Sequence, residues 1–197
     1  MQYIVHEVNT IEKLQKIPKN YGIEIDVRLL NNELVLGHDI EKNNVPLNIF
    51  LKEYDHSLIV ANIKESGVED LIFSKFEELN VNRFFLLDVE FPYIYKNFKT
   101  RGNNLSLRFS ELEPQFTNNT LIDKVQWLWI DSFTELPINE ESVKYFKNFE
   151  SCLVSPSRWG RINNIEQSFE TFKKFGFFPD WIMVEINEIT EWENLRR

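Results

Sequence analysis

Two acidic residues lie two positions apart within an apolar, β-branched run of the sequence. The run 22–28 contains Glu24 and Asp26, with isoleucine and valine at the intervening positions. Side chains two residues apart on a strand point to the same face. Two carboxylates on one face of a buried strand are costly unless a cation, a lysine or an arginine neutralises them. The pair therefore predicts either a divalent-cation site or a buried salt-bridge network that includes Lys64.

Two of the three histidines lie at the ends of apolar runs. His6 lies near the end of the first predicted strand, 3–8, and His38 ends the run that follows a predicted turn at Asn31 and Asn32. Considered alone, each of them is more often a structural or surface histidine. The third, His56, lies in a predicted turn and is expected to be solvated.

Predicted strands and helices alternate along the chain, and these elements must position the acids and the histidines. Eight strand candidates start about 25 residues apart on average, which is the length a βα unit needs. The strand candidates are 3–8, 22–28, 58–64, 83–89, 105–109, 125–131, 152–155 and 181–186. The helix candidates are 10–17, 47–54, 68–79, 139–149, 165–175 and 188–195, with 92–100 and 111–123 left open because prolines interrupt them. This alternation predicts a compact α/β fold, a single (β/α)₈ TIM barrel spanning 1–197 as one domain. An open α/β sheet of six or seven strands is the alternative.

A barrel would carry its site at the carboxyl ends of its strands. Polar residues concentrate at those ends in nearly every predicted strand. They are His6, Glu7, Glu24, Asp26, Asn62, Lys64, Asp88, Glu90, Arg108, Ser110, Asp131, Ser155, Arg158 and Glu185. This distribution is typical of a site rather than of a core.

Composition excludes several classes of function. The net charge of −9 disfavours nucleic acid and anionic membranes as partners. A single cysteine, Cys152, allows neither an internal disulfide nor a thiolate metal cluster. No apolar run suggests a membrane span or a secretory signal, so a cytoplasmic protein is expected. The six glycines do not have the spacing of a phosphate-binding loop.

The same residues resemble the glycerophosphodiester phosphodiesterase family, a group of metal-dependent (β/α)₈ barrels. The family pattern has a histidine after strand 1, Glu-x-Asp on strand 2, His-Asp after the next extended segment, and Glu-x-Lys on strand 3. This sequence has His6, Glu24-Ile25-Asp26, His38-Asp39 and Asn62-Ile63-Lys64 at those places. Later segments that look similar are Leu107 to Glu111, Trp129 to Phe133 and Val154 to Pro156, so the resemblance covers essentially the whole chain.

The resemblance implies a phosphoric diester hydrolase with a role in lipid metabolism. His6 and His38 would be the catalytic acid and base, and Glu24, Asp26 and Asn62 would bind Mg²⁺ or Ca²⁺, which prefer hard oxygen ligands. Lys64 would hold a phosphate oxygen of a small-molecule phosphodiester. The family's attacking oxygen is the substrate's own neighbouring hydroxyl, which gives a cyclic phosphate that water then opens.

This sequence departs from the family pattern at two places. Glu7 stands where the family has a phosphate-binding arginine, and Asn62 stands where it has a third carboxylate ligand. Glu7 could supply that carboxylate or bind a cationic part of the substrate, and Arg28, Arg108 or Arg158 could replace the arginine. The family's insertion after His-Asp is missing, which predicts a more open site. A barrel that binds a phosphorylated ligand without turnover is the alternative function, and another phosphate-handling barrel, such as a sugar-phosphate isomerase, is a third.

Overall fold

The computed structural model describes residues 1–41, 43–113 and 119–196. These residues form a mixed α/β fold and group into two compact units. The N-terminal unit comprises Ile4–Lys96, and the C-terminal unit comprises Asn97–Arg197 together with Met1–Tyr3. The mixed α/β class is confirmed, whereas the closed eight-stranded barrel and the single domain stay predictions.

Ten strands and seven α-helices lie in the described residues. The strands are β1 (Gln2–Val5), β2 (Gly22–Leu30), β3 (Glu33–Leu36), β4 (Val45–Pro46), β5 (Leu58–Ile63), β6 (Phe84–Leu87), β7 (Ser106–Phe109), β8 (Trp127–Ile130), β9 (Glu150–Val154) and β10 (Trp181–Val184). The helices are α1 (Ile11–Gln15), α2 (Leu47–Glu53), α3 (Glu69–Glu78), α4 (Phe91–Arg101), α5 (Glu140–Phe146), α6 (Ile165–Phe175) and α7 (Ile189–Leu195). Short 3₁₀ turns complete the connections.

The N-terminal unit is arranged around β2, which pairs with three strands. Residues 22–27 of β2 run parallel to β5, and its first residues run parallel to β1. Residues 27–30 pair antiparallel with β3, and β6 extends the sheet beyond β5 in parallel. In this register Asp26 lies beside Asn62. The carboxyl ends of β1, β2, β5 and β6 therefore carry most of the predicted site residues.

A two-residue turn joins β2 to β3. Asn31 and Asn32 both have positive φ, 50° and 66°. Two-residue hairpin loops favour this backbone, which matches the twist of the strands, and asparagine tolerates it. The turn predicted from the sequence is confirmed. Because of this hairpin, Gly37, the residue before His38, lies beside β2. The Gly37 N–H donates to the Asp26 carbonyl oxygen at 3.0 Å.

The C-terminal unit contains four neighbouring parallel strands, β7 to β10. Large aromatic side chains fill its interior: Trp127, Trp181 and Trp192 are fully buried. The ring of Trp192 on α7 stacks on that of Phe172 on α6, with centroids 6.1 Å apart. Four of the five tryptophans are buried as predicted, and Trp159 is exposed.

All eight predicted strands are present, but several end earlier than predicted. Strand β1 stops at Val5 rather than at residue 8, because Glu7 has a left-handed backbone with φ of 54°. Strand β6 stops at Leu87 for the same reason, since Asp88 has φ of 59°. His6 thus lies in a loop. The open region 92–100 is α4, and the predicted region 111–123 lies partly outside the described residues.

Helix α6 has the predicted bounds and ends at Gly176, which adopts a left-handed conformation with φ of 59°. Thr10 caps α1, its side chain accepting from the Lys13 N–H, and Asn139 caps α5. No helix in the described ranges is both long and apolar enough to cross a membrane.

Candidate active site

The predicted acids Glu24 and Asp26 lie together in the interior of the N-terminal unit. Their exposed fractions are 1% and 2%. They belong to a group of polar side chains at the carboxyl ends of β1, β2 and β5, which we call the strand-end cluster. Its members are Asn9, Glu24, Asp26, Asn62 and Lys64.

Glu24 is held by two hydrogen-bond donors, one on each carboxylate oxygen. The Glu7 N–H donates to Oε2 at 2.7 Å, and Asn62 Nδ2 donates to Oε1 at 3.0 Å. Burial raises the pKa of Glu24 above its ordinary value, and the negative charge of Asp26 raises it further. His6 and the two hydrogen bonds oppose that rise. The carboxylate therefore needs positive charge close by to stay ionised near neutral pH.

Asp26 is neutralised by a lysine from the neighbouring strand. Lys64 Nζ lies 2.9 Å from Asp26 Oδ1, and the pair is almost fully buried. Lys64 follows β5 directly, and its N–H donates to the Val27 carbonyl oxygen at 3.1 Å, which fixes its position beside β2. The salt bridge predicted as one alternative is present. It balances one of the two acids and leaves the other uncompensated.

Asn9 is a member of the cluster that sequence reasoning missed. Its Nδ2 donates to Asp26 Oδ2 at 2.8 Å, and its Oδ1 accepts from the Asp26 N–H at the same distance. Asn9 thus fixes both the side chain and the backbone of Asp26. The sequence signal was its place between the end of β1 and the start of α1.

A divalent cation suits the donor set of the strand-end cluster. Two carboxylates carry one charge in excess of Lys64, and each of their oxygens can accept at two positions. Asn62 Oδ1 is buried and has no hydrogen-bond partner within the described residues. An orphaned amide oxygen beside two acids matches the oxygen ligands of Mg²⁺ and Ca²⁺.

The set differs from an all-acid or histidine metal centre. In the part of the chain that the structure describes, no three His, Cys, Asp or Glu side chains are grouped to hold a metal ion. The set has two acids and one amide, so its third ligand would be Asn62.

The two candidate catalytic histidines have different surroundings. The His6 side chain is 13% exposed, and its Nδ1 lies 4.0 Å from Glu7 Oε2. The His38 side chain is 60% exposed, and its Nδ1 lies 3.4 Å from Asp39 Oδ2. Arg28 Nε donates to the His38 carbonyl oxygen at 2.7 Å, and its role with phosphate stays a prediction.

The loop that carries His38 depends on Asn44. The Asn44 Nδ2 donates to the carbonyl oxygens of Leu36 and Asp39, at 2.8 and 3.2 Å. A Cβ at Gly37 would lie 2.1 Å from Asn44 Nδ2 and 2.9 Å from the Asp39 carbonyl oxygen, so a side chain there would displace the Asn44 amide. Asn44 is a second supporting residue that the sequence pattern did not indicate.

Arg108 and Arg158 lie in the C-terminal unit. Arg108 bridges Asp131 at 3.2 Å and Glu113 at 3.0 Å. Burial raises the pKa of Asp131, and the charge of Arg108 opposes this, followed by the indole N–H groups of Trp159 and Trp129. Arg108 is thus engaged with acids of its own unit, and its predicted role with phosphate stays a prediction.

Arg158 is exposed on the turn Pro156–Trp159, with its guanidinium 5.6 Å from the centre of the Trp159 ring. Trp159 in turn donates to Asp131 Oδ1 at 3.0 Å. The role of Arg158 with phosphate stays a prediction.

Two cavities lie apart from the strand-end cluster. The one in the N-terminal unit has a volume of about 310 Å³ and is bordered by β3, α2 and α3, through residues such as Leu34, Asn48 and Leu71. The one in the C-terminal unit has a volume of about 300 Å³ and is lined by residues such as Thr134, Arg161 and Asn164. None of the predicted site residues lines either cavity.

The fold is that of a group of solved structures. The chain superposes with a TM-score of 0.68 on a glycerophosphoryl diester phosphodiesterase from Parabacteroides distasonis, at 11% identity, covering 98% of this chain and 86% of that one. It superposes on a glycerophosphodiester phosphodiesterase from Agrobacterium tumefaciens with a TM-score of 0.61, at 11% identity, covering 93% and 96%. A second Agrobacterium tumefaciens protein, provisionally named a glycerophosphoryl diester phosphodiesterase, gives a TM-score of 0.69 at 10% identity, covering 99% and 98%.

The chain has the fold of these phosphodiesterases. The resemblance predicted from the sequence is thus supported by fold over nearly the whole chain. No family model matches the sequence, and no curated protein matches it. At this level of identity the likeness shows the fold, and the activity has to be argued from the residues.

Proposed function

We propose that this protein is a metal-assisted phosphodiester hydrolase. The observation that carries the proposal is the strand-end cluster, in which Glu24 and Asp26 lie buried beside Asn62 and Lys64. Burying charged and polar groups costs desolvation free energy. Such groups at the carboxyl ends of parallel strands are typical of active sites in α/β folds. The fold shared with phosphodiesterases supports the same class of reaction.

Each part of the cluster has a role in the proposal. Glu24, Asp26 and Asn62 would hold Mg²⁺ or Ca²⁺, and the bound ion supplies charge that polarises a phosphoryl oxygen. Asn9 and Lys64 hold the carboxylate of Asp26 in place. Lys64 is also the nearest candidate donor for a phosphate oxygen, because its ammonium has three donors and only one is needed for Asp26.

His6 and His38 move the protons. Hydrolysis needs one group that takes the proton of the attacking oxygen and another that protonates the leaving oxygen. His6 Nδ1 lies 4.0 Å from Glu7 Oε2, and His38 Nδ1 lies 3.4 Å from Asp39 Oδ2. In the proposal one histidine serves as the base and the other as the acid.

Turnover of glycerophosphodiesters with Mg²⁺ or Ca²⁺ tests the proposal. His6→Ala and His38→Ala should each lower kcat by ~10²-fold or more, the usual contribution of a positioned acid or base. His56→Gln is a matched control, because His56 bonds to the Ile17 carbonyl oxygen instead of lying in the cluster. Undiminished turnover in both His6 and His38 variants would overturn the mechanism.

A second candidate is a protein that binds a phosphorylated ligand without hydrolysing it. The salt bridge between Lys64 and Asp26 favours it, because that bridge satisfies one acid without a metal. Calorimetric titration with Mg²⁺ and Ca²⁺ separates the two candidates. Absence of binding at millimolar metal, together with binding of a phosphodiester, would support the second.

A further inference from the structure

Glu7 is held in an unusual backbone conformation next to the strand-end cluster. Its φ of 54° lies in the left-handed region, which few residues other than glycine adopt. Three main-chain interactions maintain it: the Glu7 N–H donates to Glu24 Oε2 at 2.7 Å, the Val8 N–H donates to the Glu24 carbonyl oxygen at 2.7 Å, and the Asn9 N–H donates to the Glu7 carbonyl oxygen at 3.0 Å. The direction of the Glu7 side chain is therefore set by the same residues that form the cluster.

The carboxylate of Glu7 is available to a ligand. The side chain is 47% exposed, and its nearest charged neighbour in the described chain is His6 Nδ1 at 4.0 Å. That separation exceeds a hydrogen bond. Within the described ranges no donor of this chain is recorded on the Glu7 carboxylate, whereas both oxygens of Glu24 and of Asp26 are bonded.

Three cations of the N-terminal unit make bonds to other groups. Lys64 pairs with Asp26, Lys13 Nζ donates to the His6 carbonyl oxygen at 2.8 Å, and Arg28 donates to the His38 carbonyl oxygen. No lysine or arginine of the described residues lies within 4.0 Å of the Glu7 carboxylate, so Glu7 places a negative charge beside His6. Such a charge repels an anionic group of a substrate and attracts a cationic one.

We propose that Glu7 selects phosphodiesters in which one alcohol carries a positive charge, as a primary amine or a quaternary ammonium. The proposal rests on the proposed function, since it names the substrate class of the same site. The phosphate of such a substrate binds at the strand-end cluster, and its cationic group binds Glu7. Zwitterionic diesters of this kind satisfy both charges at once, whereas a diester with an uncharged alcohol leaves Glu7 unpaired.

Steady-state kinetics with two diesters test the selection. Wild-type protein should hydrolyse glycerophosphocholine with a kcat/KM about 10-fold or more above that for glycerophosphoglycerol, the scale expected for one charge contact. Glu7→Gln, which keeps the size of the side chain, should bring the ratio close to one by lowering the value for glycerophosphocholine alone. Glu53→Gln should change neither value, because Glu53 is exposed at the end of α2, on the side where β5 begins.

Three outcomes would overturn the selection. The first is a ratio of the two kcat/KM values near one in wild type, and the second is a ratio that Glu7→Gln leaves unchanged. The third is an equal loss of kcat/KM for both substrates with a shifted pH profile, which would mean that Glu7 acts through His6. If wild-type protein hydrolyses neither diester, the proposed function fails. Calorimetric titration of wild type and Glu7→Gln with the two diesters then tests the selection through the ratio of the two dissociation constants. Equal melting temperatures of Glu7→Gln and Glu53→Gln verify that both variants are folded.

Discussion

Lys64 and Asp26 form a nearly buried ion pair between β5 and β2, with 2.9 Å between Nζ and Oδ1. The register that aligns Asp26 with Asn62 brings them together, since Lys64 is two residues beyond Asn62 on the same face. A site that needs two acids in its interior thus contains its own counter-charge. The stability of this region and its proposed chemistry therefore involve the same lysine.

Loss of Lys64 should destabilise the protein strongly. Lys64→Met leaves Asp26 buried without its cation, which typically costs about 3–5 kcal/mol when one partner of a buried pair is removed. Urea unfolding measures the free energy. The double variant Lys64→Met with Asp26→Asn should recover much of the loss, because the unpaired charge is gone. If the double variant is as unstable as the single one, the pair is not the cause.

Loss of Asn9 should have a smaller effect. Asn9→Ala removes two hydrogen bonds from Asp26, one to its side chain and one to its backbone. Buried groups left without partners typically cost about 1–3 kcal/mol, so the free energy of unfolding should fall by that amount. Asn20→Ala, at an exposed position, is the control and should change stability little. Equal effects of the two substitutions would contradict the role of Asn9.

Acid should destabilise the protein in part through His56. Its Nε2 donates to the Ile17 carbonyl oxygen at 3.0 Å, and its Nδ1 is buried without a partner in the described residues. Burial lowers the pKa of His56, although the bond to Ile17 acts in the opposite direction. The unfolded chain, with a pKa of about 6.5, therefore binds the proton more readily than the folded one.

The stability that comes from neutral His56 is thus fully present above about pH 6.5 and is lost as the pH falls through the lower folded-state pKa. Urea unfolding of wild type and His56→Gln at pH 7.5 and 5.5 measures it. The wild type should lose more free energy between the two pH values than the variant. Identical losses in both proteins would show that other groups control the acid sensitivity.

Gly102 should not tolerate a side chain. It is buried, and a Cβ there would lie 1.8 Å from the Lys124 carbonyl oxygen. Because the obstacle is backbone, Gly102→Ala has to shift the chain, and about 1–3 kcal/mol or more of stability should be lost. Asn103→Ala, at the exposed neighbouring position, is the matched control. Thermal unfolding of the two variants compares them directly, and equal melting temperatures would contradict the clash.

The positions of the strands could be predicted because their sequences are continuous apolar runs. Parallel strands that are buried on both faces appear as apolar runs, as in β5 and β10. Strand β4 was missed because it has only two residues, one of them Pro46, which suits an edge. Helix α4 was left open because of Pro92, which sits in its first turn, where a missing N–H costs nothing.

The strand-end cluster could be predicted in part. Glu24, Asp26 and Lys64 follow from strand alternation, because their spacing fixes the face on which they lie. The support from Asn9 and Asn44 could not be predicted, since it depends on loop conformations that no periodicity encodes. The left-handed backbone of Glu7 was likewise not predictable, because glutamate seldom adopts it and a tertiary bond to Glu24 maintains it.

The hairpin of β2 and β3 also has a consequence for how the protein folds. It joins neighbouring segments through a two-residue turn, so its closure costs far less chain entropy than pairing β2 with β1 or β5. We expect it to form early and to present β2 as a template to which the distant strands add. A slip of one residue in the pairing of β2 with β3 would turn Glu24 and Asp26 to the opposite face relative to β3. The two-residue asparagine turn fixes that register.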